Sequence, residues 1–325
     1  MDASRWWTGL SPTLRAALLM FLGATAVAVQ LSAIRVATAT LHPFEITLFR
    51  NLIGFLVILP FLGGLGLGTL RMNQPGRLML SSVGMLTAMI CFFMAIAEIP
   101  LAEVMALSFT KPLFATLGAA LLLGEAVRTR RWTAVLVGFA GVMLVLRPGF
   151  QAVSPYAAMI LFSALLLAGV SLTIKHLSAT ERATTIVFYQ AVFMTLLSAP
   201  LALLYWRTPT LAEIPALILI GGLGTVSWLC VTRAFALVDA SVVMPFEFAR
   251  LPLTALVAYL MFAEVPTVWT WLGGFVIFGS TAYITRSELK AAAERRASAE
   301  EAASRPAPLA RSPASPHSDQ KPEGT

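Results

Sequence analysis

Residues 104–125 read VMALSFTKPLFATLGAALLLGE, and residues 243–264 read VMPFEFARLPLTALVAYLMFAE. The two stretches lie 139 residues apart and share seven residues at matched positions, from Val104/Val243 to Glu125/Glu264. Lys111 falls on Arg250 at the same offset. Carried over 98–147 against 237–286 without a gap, the offset adds Trp132/Trp271, Val137/Val276, Phe139/Phe278 and Arg147/Arg286, making 11 identities. Alanine, leucine and valine match often by chance in apolar helices. The acidic, tryptophan and basic matches therefore carry most of the weight. The chain reads as an internal duplication.

Apolar stretches of this kind recur along most of the sequence. A helix crossing the hydrocarbon core needs about 20 mostly apolar residues. Ten segments meet that need: 15–36, 44–64, 77–97, 101–123, 132–147, 155–174, 183–205, 213–237, 240–262 and 267–286. The fifth is short, and Gly221, Gly222 and Gly224 interrupt the eighth. Turn-forming residues separate them at His42-Pro43, Asn73-Gln74-Pro75-Gly76, Arg147-Pro148-Gly149 and Thr208-Pro209. The apolar run from Ala16 to Ile34 exceeds the core of a cleavable signal, so the first span is expected to be retained.

Composition agrees. Of 325 residues, 58% are hydrophobic and 12% charged, against roughly a quarter charged in soluble domains. That leaves too little polarity to clothe a soluble enzyme or a disordered regulator. Cys91 and Cys230 both lie in apolar runs and make no disulfide or zinc framework. After about Ser287 the sequence turns to Ala, Glu, Arg, Ser and Pro. Residues 288–303 are expected as a short polar helix, and the rest as a disordered cytoplasmic tail.

Basic residues set the orientation. Alternating connections on one side hold 13 Lys and Arg, among them Arg71, Arg77, Arg128, Arg130, Arg131, Lys175 and Arg182; the other side holds Arg147 and Arg207. This positive-inside bias places both termini in the cytoplasm and the chain in a bacterial-type inner membrane. The net charge of +7 is thereby explained without a nucleic-acid partner. The expected fold is an all-α membrane protein of ten transmembrane helices. A cytoplasmic segment, 1–14, precedes five-helix repeats at 15–147 and 155–286, and the tail is 287–325. An odd number of spans per repeat forces the halves to cross in opposite senses. Inverted repeats of this kind build secondary transporters, with substrate near the midplane between the halves.

The repeated ends of the fourth and ninth spans, Lys111-Pro112 through Gly124-Glu125 and Arg250-Leu251-Pro252 through Ala263-Glu264, resemble the EamA-type transporters of the drug/metabolite transporter superfamily. The resemblance covers both halves, roughly 15–286. It implies a carrier whose central cavity is walled mainly by helices one, three, four, six, eight and nine. It also brings in view exporters of amino acids, toxic compounds or metallophores, and importers of cofactors such as S-adenosylmethionine.

A charge at the centre of a membrane helix costs at least about 2.5–3.5 kcal/mol, so such residues are expected to face a cavity or a partner. Lys111 and Arg250 occupy equivalent depths, each followed within two residues by a proline, Pro112 or Pro252, expected to kink its helix. They are expected to draw a carboxylate or other anionic group to a wet centre. Glu247, three residues before Arg250, shares its helical face and is either its partner or a proton-coupling group. Gln30, Trp228 and Phe246 are expected to complete the substrate site, with Phe92, Phe93 and Phe248 as further aromatics. Arg50, beside Asn51 and near Glu45, is expected to serve packing; Arg35 to snorkel or to guard the outer entrance; Arg233 and Asp239 to pair at the inner interface. Glu125 and Glu264 are expected to accept from free N–H groups of the next helix, with Trp132 and Trp271 as interfacial anchors. Ala134 and Gly138 form a small-xxx-small pattern for close helix packing.

No phosphate-binding glycine loop, metalloprotease motif, clustered His and Cys, or serine elbow occurs in the sequence. No cofactor and no enzymatic activity are expected. The expected function is secondary-active transport, in the export direction, of a small polar or amphipathic metabolite by alternating access. An integral membrane enzyme, or a structural protein with fully paired central cations, is the alternative.

Overall fold

A computed structural model of the chain describes residues 10–62, 72–122, 129–147, 154–178, 180–238, 243 and 246–304. Among these residues every regular element is a helix. The order is α1 (Pro12–Thr38), α2 (Pro43–Leu62), α3 (Pro75–Glu98), α4 (Leu101–Ser108), α5 (Lys111–Leu122), α6 (Thr129–Leu146), α7 (Pro155–Leu177), α8 (Ala183–Leu204), α9 (Ile214–Leu237), α10 (Arg250–Phe262) and α11 (Val268–Ser304). Residues Met1–Ser287 make one compact unit and Glu288–Thr325 a second.

Several helices begin where the sequence supplies a proline or a cap. Ser11 accepts from the Leu14 N–H ahead of α1, and Ser154 accepts from Tyr156 ahead of α7, each followed by a proline at the first helical position. The starts at 75, 111 and 129 return at 214, 250 and 268, the offset of the sequence repeat. Contacts exchange in the same way: α1 packs on α9 as α7 packs on α3, and α10 on α1 as α5 on α7.

Among the described residues, five helices are long and apolar enough to cross a membrane, and the α6 and α10 segments are shorter apolar helices. Their outward faces carry large bare side chains such as Leu80, Leu136, Leu196 and Leu260, each more than 60% exposed. Water penalises such a surface and lipid does not. The protein is a helical membrane protein. The glycines of the eighth span do not break α9, which is continuous from Ile214 to Leu237. They let neighbours in instead: a Cβ on Gly221 would meet Ile53 of α2 at 2.6 Å, and one on Gly224 the Gln30 amide of α1 at 2.6 Å.

Two buried carboxylates hold the loops to each other. Glu45, at the start of α2, accepts from the His42 N–H (3.1 Å) and from Arg207 N–H in the connection before α9 (2.6 Å). Glu181, just before α8, accepts from Asn73 and Gln74 N–H in the connection before α3 (2.7 and 3.1 Å). Each carboxylate thus satisfies backbone donors that enter the third span of the opposite half.

The α6 and α11 backbones approach closely where Gly141 meets Gly273; a Cβ at 273 would lie 2.6 Å from the Gly141 carbonyl oxygen. Backbone cannot give way cheaply. Gly273→Ala is therefore expected to lower the melting temperature in detergent by roughly 2–6 °C. Gly76→Ala, with nothing within 4 Å, is expected to hold or raise it.

Candidate functional site

The fourth span is two helices rather than one. Between α4 and α5, Phe109 and Thr110 form a turn, and the second half starts at Lys111. The cause is Pro112. It has no N–H for the Ser108 carbonyl, and its ring crowds that oxygen. The chain tightens there, with Phe109 donating to Ala106 (3.3 Å) and Thr110 to Leu107 (3.1 Å). The Phe109 carbonyl would serve the Leu113 N–H in a continuous helix, but Leu113 donates to Thr110 at 2.9 Å. The released oxygen takes the Thr281 hydroxyl of α11 at 3.0 Å. A side-chain hydroxyl repairs a membrane-depth break here.

The second half repeats the device. Phe248 and Ala249 form a turn, Pro252 lies in the first turn of α10, and that helix starts at Arg250. Ala249 donates to Phe246 and Leu251 to Phe248, both at 3.0 Å. The two turns meet: the repeat-related rings of Phe109 and Phe248 stack with centroids 6.2 Å apart, and Phe278 lies against both. Two half-helices therefore start at the same waist, each with a basic residue on its first position. A helix N-terminus carries about half a positive charge, so dipole and side chain act in the same sense.

Arg250 pairs with Glu247 at 3.1 Å, the same-face geometry expected from their spacing, and both side chains stay partly open. Lys111 lies within electrostatic reach of both and makes no ion pair of its own among the described residues. Two cations and one carboxylate leave the waist one positive charge in excess.

The remaining expected site residues separate. Trp228 lines a cavity of about 190 Å³ between α2, α3, α8 and α9, together with Arg50, Asn51, Gln190 and Thr225. Gln30 backs that wall: its amide donates to the Ile220 carbonyl at 2.7 Å. Phe246 packs against the small cluster of Ala16, Met20, Ala234 and Val243. Phe93 and Phe92 belong to the main core, and Phe248 to the aromatic group at the break. Arg50, read as a packing residue, lines this cavity. A signal was present in the sequence: its equivalent is Tyr189, so the cation is not needed by the shared fold.

Arg35 does meet a partner at the outer end of α1. Its guanidinium pairs with Glu264 and lies 5.5 Å from the Phe262 ring centroid. Glu264 also accepts from the Leu101 N–H at 3.0 Å. It thus caps α4 of the opposite half rather than the helix that follows it, because the left-handed turn at Ala263 (φ 54°) redirects the chain. Glu125 and Asp239 lie outside the described residues. Gly138 approaches Leu113 of α5, in keeping with close packing.

Paired discontinuous helices inside a lipid-facing bundle are an arrangement that many transporter folds use. The EamA-like transporter family model matches residues 14–147 and again 154–286, and the chain belongs to that family. It is 30% identical over 255 residues to an S-adenosylmethionine uptake transporter of Rickettsia bellii, covering 78% of this chain and 88% of that one. It is 35% identical over 237 residues to a riboflavin transporter of Rhizobium johnstonii, covering 73% and 78%. A pseudopaline exporter, CntI, of Pseudomonas aeruginosa is 32% identical over 273 residues, covering 83% and 96%. The protein is a membrane transporter.

The Thr281 contact can be checked directly. Thr281→Val is expected to cost roughly 0.6–1.7 kcal/mol, read as a lower melting temperature in micelles. Thr285→Val removes only a hydroxyl bonded within its own helix at 3.0 Å and is expected to be silent.

Proposed function

We propose that the protein is a secondary carrier of a small polar or amphipathic metabolite, in which two inverted five-helix repeats, 15–147 and 155–286, alternate access to a central site. The observation that carries the reading is the pair of broken helices, each opening on a cation at the same waist. The repeated helix starts and the exchanged contacts support opposite crossing of the two halves. Such a design supplies two near-equivalent states with one substrate position, and alternation needs no nucleotide.

Lys111 and Arg250 are the substrate-contact residues in this reading, with Trp228, Gln30 and Phe246 on the surrounding helices. Glu247 is the counter-charge that an incoming anion displaces from Arg250, and the freed carboxylate is the point at which a proton couples. The positive excess favours a substrate bearing a carboxylate. The three relatives point to metabolites and cofactors, imported in one case and exported in another. Both termini lie in the cytoplasm, and the membrane is the bacterial inner one.

Purified protein in liposomes, given a panel of amino acids, S-adenosylmethionine and riboflavin in each direction, tests the reading. One or more solutes are expected to move in a saturable way, and Lys111→Ala is expected to abolish that flux with expression intact. Glu247→Gln is expected to remove its dependence on an imposed pH gradient. Silence across the panel in the wild type, or undiminished flux in Lys111→Ala, rejects the assignment. Reporter fusions placing the two ends on opposite sides of the membrane reject the inverted repeat.

A further inference from the structure

The cavity holding Arg50 is built by both halves of the chain. Three pairs of its lining residues are 139 positions apart: Asn51 with Gln190, Phe55 with Met194, and Met85 with Gly224. Residues related by the repeat can share one cavity only if it lies on the axis that exchanges the halves. A site there keeps its place while the halves trade roles. Arg50 breaks that symmetry, since its counterpart is Tyr189 and one half alone supplies the cation.

The guanidinium is poorly compensated. Among the described residues its one hydrogen-bond partner is the neighbouring Asn51 Oδ1, at 3.1 Å. A guanidinium offers five N–H donors. The nearest acid in sequence, Glu45, is engaged by two backbone N–H groups at the helix end. Arg50 is seven residues into α2 from Pro43, about 10 Å below the helix end at the usual rise. That is deeper than a lipid headgroup sits. Charge at such depth marks a functional site when no protein group answers it.

The other walls say what would answer it. Asn51 commits its amide nitrogen to the Met194 carbonyl (3.5 Å), and Gln190 points its own to Met85 Sδ (3.0 Å). Thr225 donates to Gly221 at 3.2 Å. The groups left over are the Arg50 fork, the Gln190 side-chain carbonyl, and the flat rings of Trp228 and Phe55. A planar fork takes a carboxylate through two parallel bonds, and ring faces take a planar apolar body.

We infer that the cavity between α2, α3, α8 and α9 is a binding site for small planar carboxylates, with Arg50 holding the carboxylate and Trp228 and Phe55 flanking the ring. The inference deepens the carrier reading, because an axial site is a solute site only if the halves alternate. It adds a position distinct from the waist at Lys111 and Arg250.

Purified full-length protein in neutral detergent is titrated with benzoate, and with benzamide as the same ring without charge, while tryptophan fluorescence is followed. Each variant is first checked for a monodisperse peak and a cooperative melt. Benzoate is expected to saturate, with benzamide at least 10-fold weaker, and Arg50→Gln to bring benzoate to the benzamide level. Trp228→Phe is expected to remove the fluorescence change. Should Arg50→Gln not fold, Ala191→Leu, which adds bulk to the cavity wall and keeps Arg50, is expected to abolish benzoate binding. Equal affinity for the two probes, a fluorescence change that persists in Trp228→Phe, or benzoate binding indifferent to the Arg50 or Ala191 variant overturns the inference. So does displacement of benzoate by phosphatidylglycerol, which would make the site a lipid one. Failure of the carrier reading shows separately, as Arg50-dependent benzoate binding without flux of any solute in liposomes.

Discussion

Inside a bilayer every backbone N–H and C=O must be satisfied by the protein itself, and a proline in a spanning helix makes that rule expensive. Pro112 and Pro252 lie one residue apart in repeat register, and each breaks its span just ahead of a basic residue. The break at Phe109 survives because Thr281, on the last helix, reaches its carbonyl. The two turns then stack their phenylalanines on each other. The waist of the molecule is thus a place where the helical ladder is interrupted and repaired from elsewhere, and the charged groups gather around it.

Carboxylates take the corresponding part at the ends of the helices. Glu45, Glu181 and Glu264 each accept from backbone N–H groups that belong to a loop or helix of the opposite half. A buried acid can afford such a position only when donors surround it, and incoming helix ends supply them. These contacts join the halves at their rims, while α1 against α9 and α7 against α3 join them through the membrane. Close approach there rests on small residues: Gly23 meets Cys230, and Gly224 meets Gln30.

Charge divides between two positions. At the waist, Glu247 tempers Arg250 while Lys111 makes no ion pair of its own among the described residues; in the cavity between α2, α3, α8 and α9, the Asn51 amide oxygen is the hydrogen-bond partner of Arg50 among those residues. Both are cationic and both lie on repeat-related segments.

Much of this was legible in the amino-acid order alone. Hydrophobic length located most of the helices, although the one expected over 267–286 runs on to Ser304; the 139-residue offset exposed the duplication, and Lys111, Arg250 and Glu247 stood out because charge in lipid is costly. Local signals of that kind act within one helix or between residues a turn apart, so they survive without a fold. Other features were decided only in three dimensions. The span at 101–123 is two helices, Glu264 serves α4 rather than its own successor, Phe246 turns into a side cluster, and Arg50 opens on a cavity. Each of these depends on which helix from the other half arrives alongside, and no residue's own neighbours along the chain carry that information.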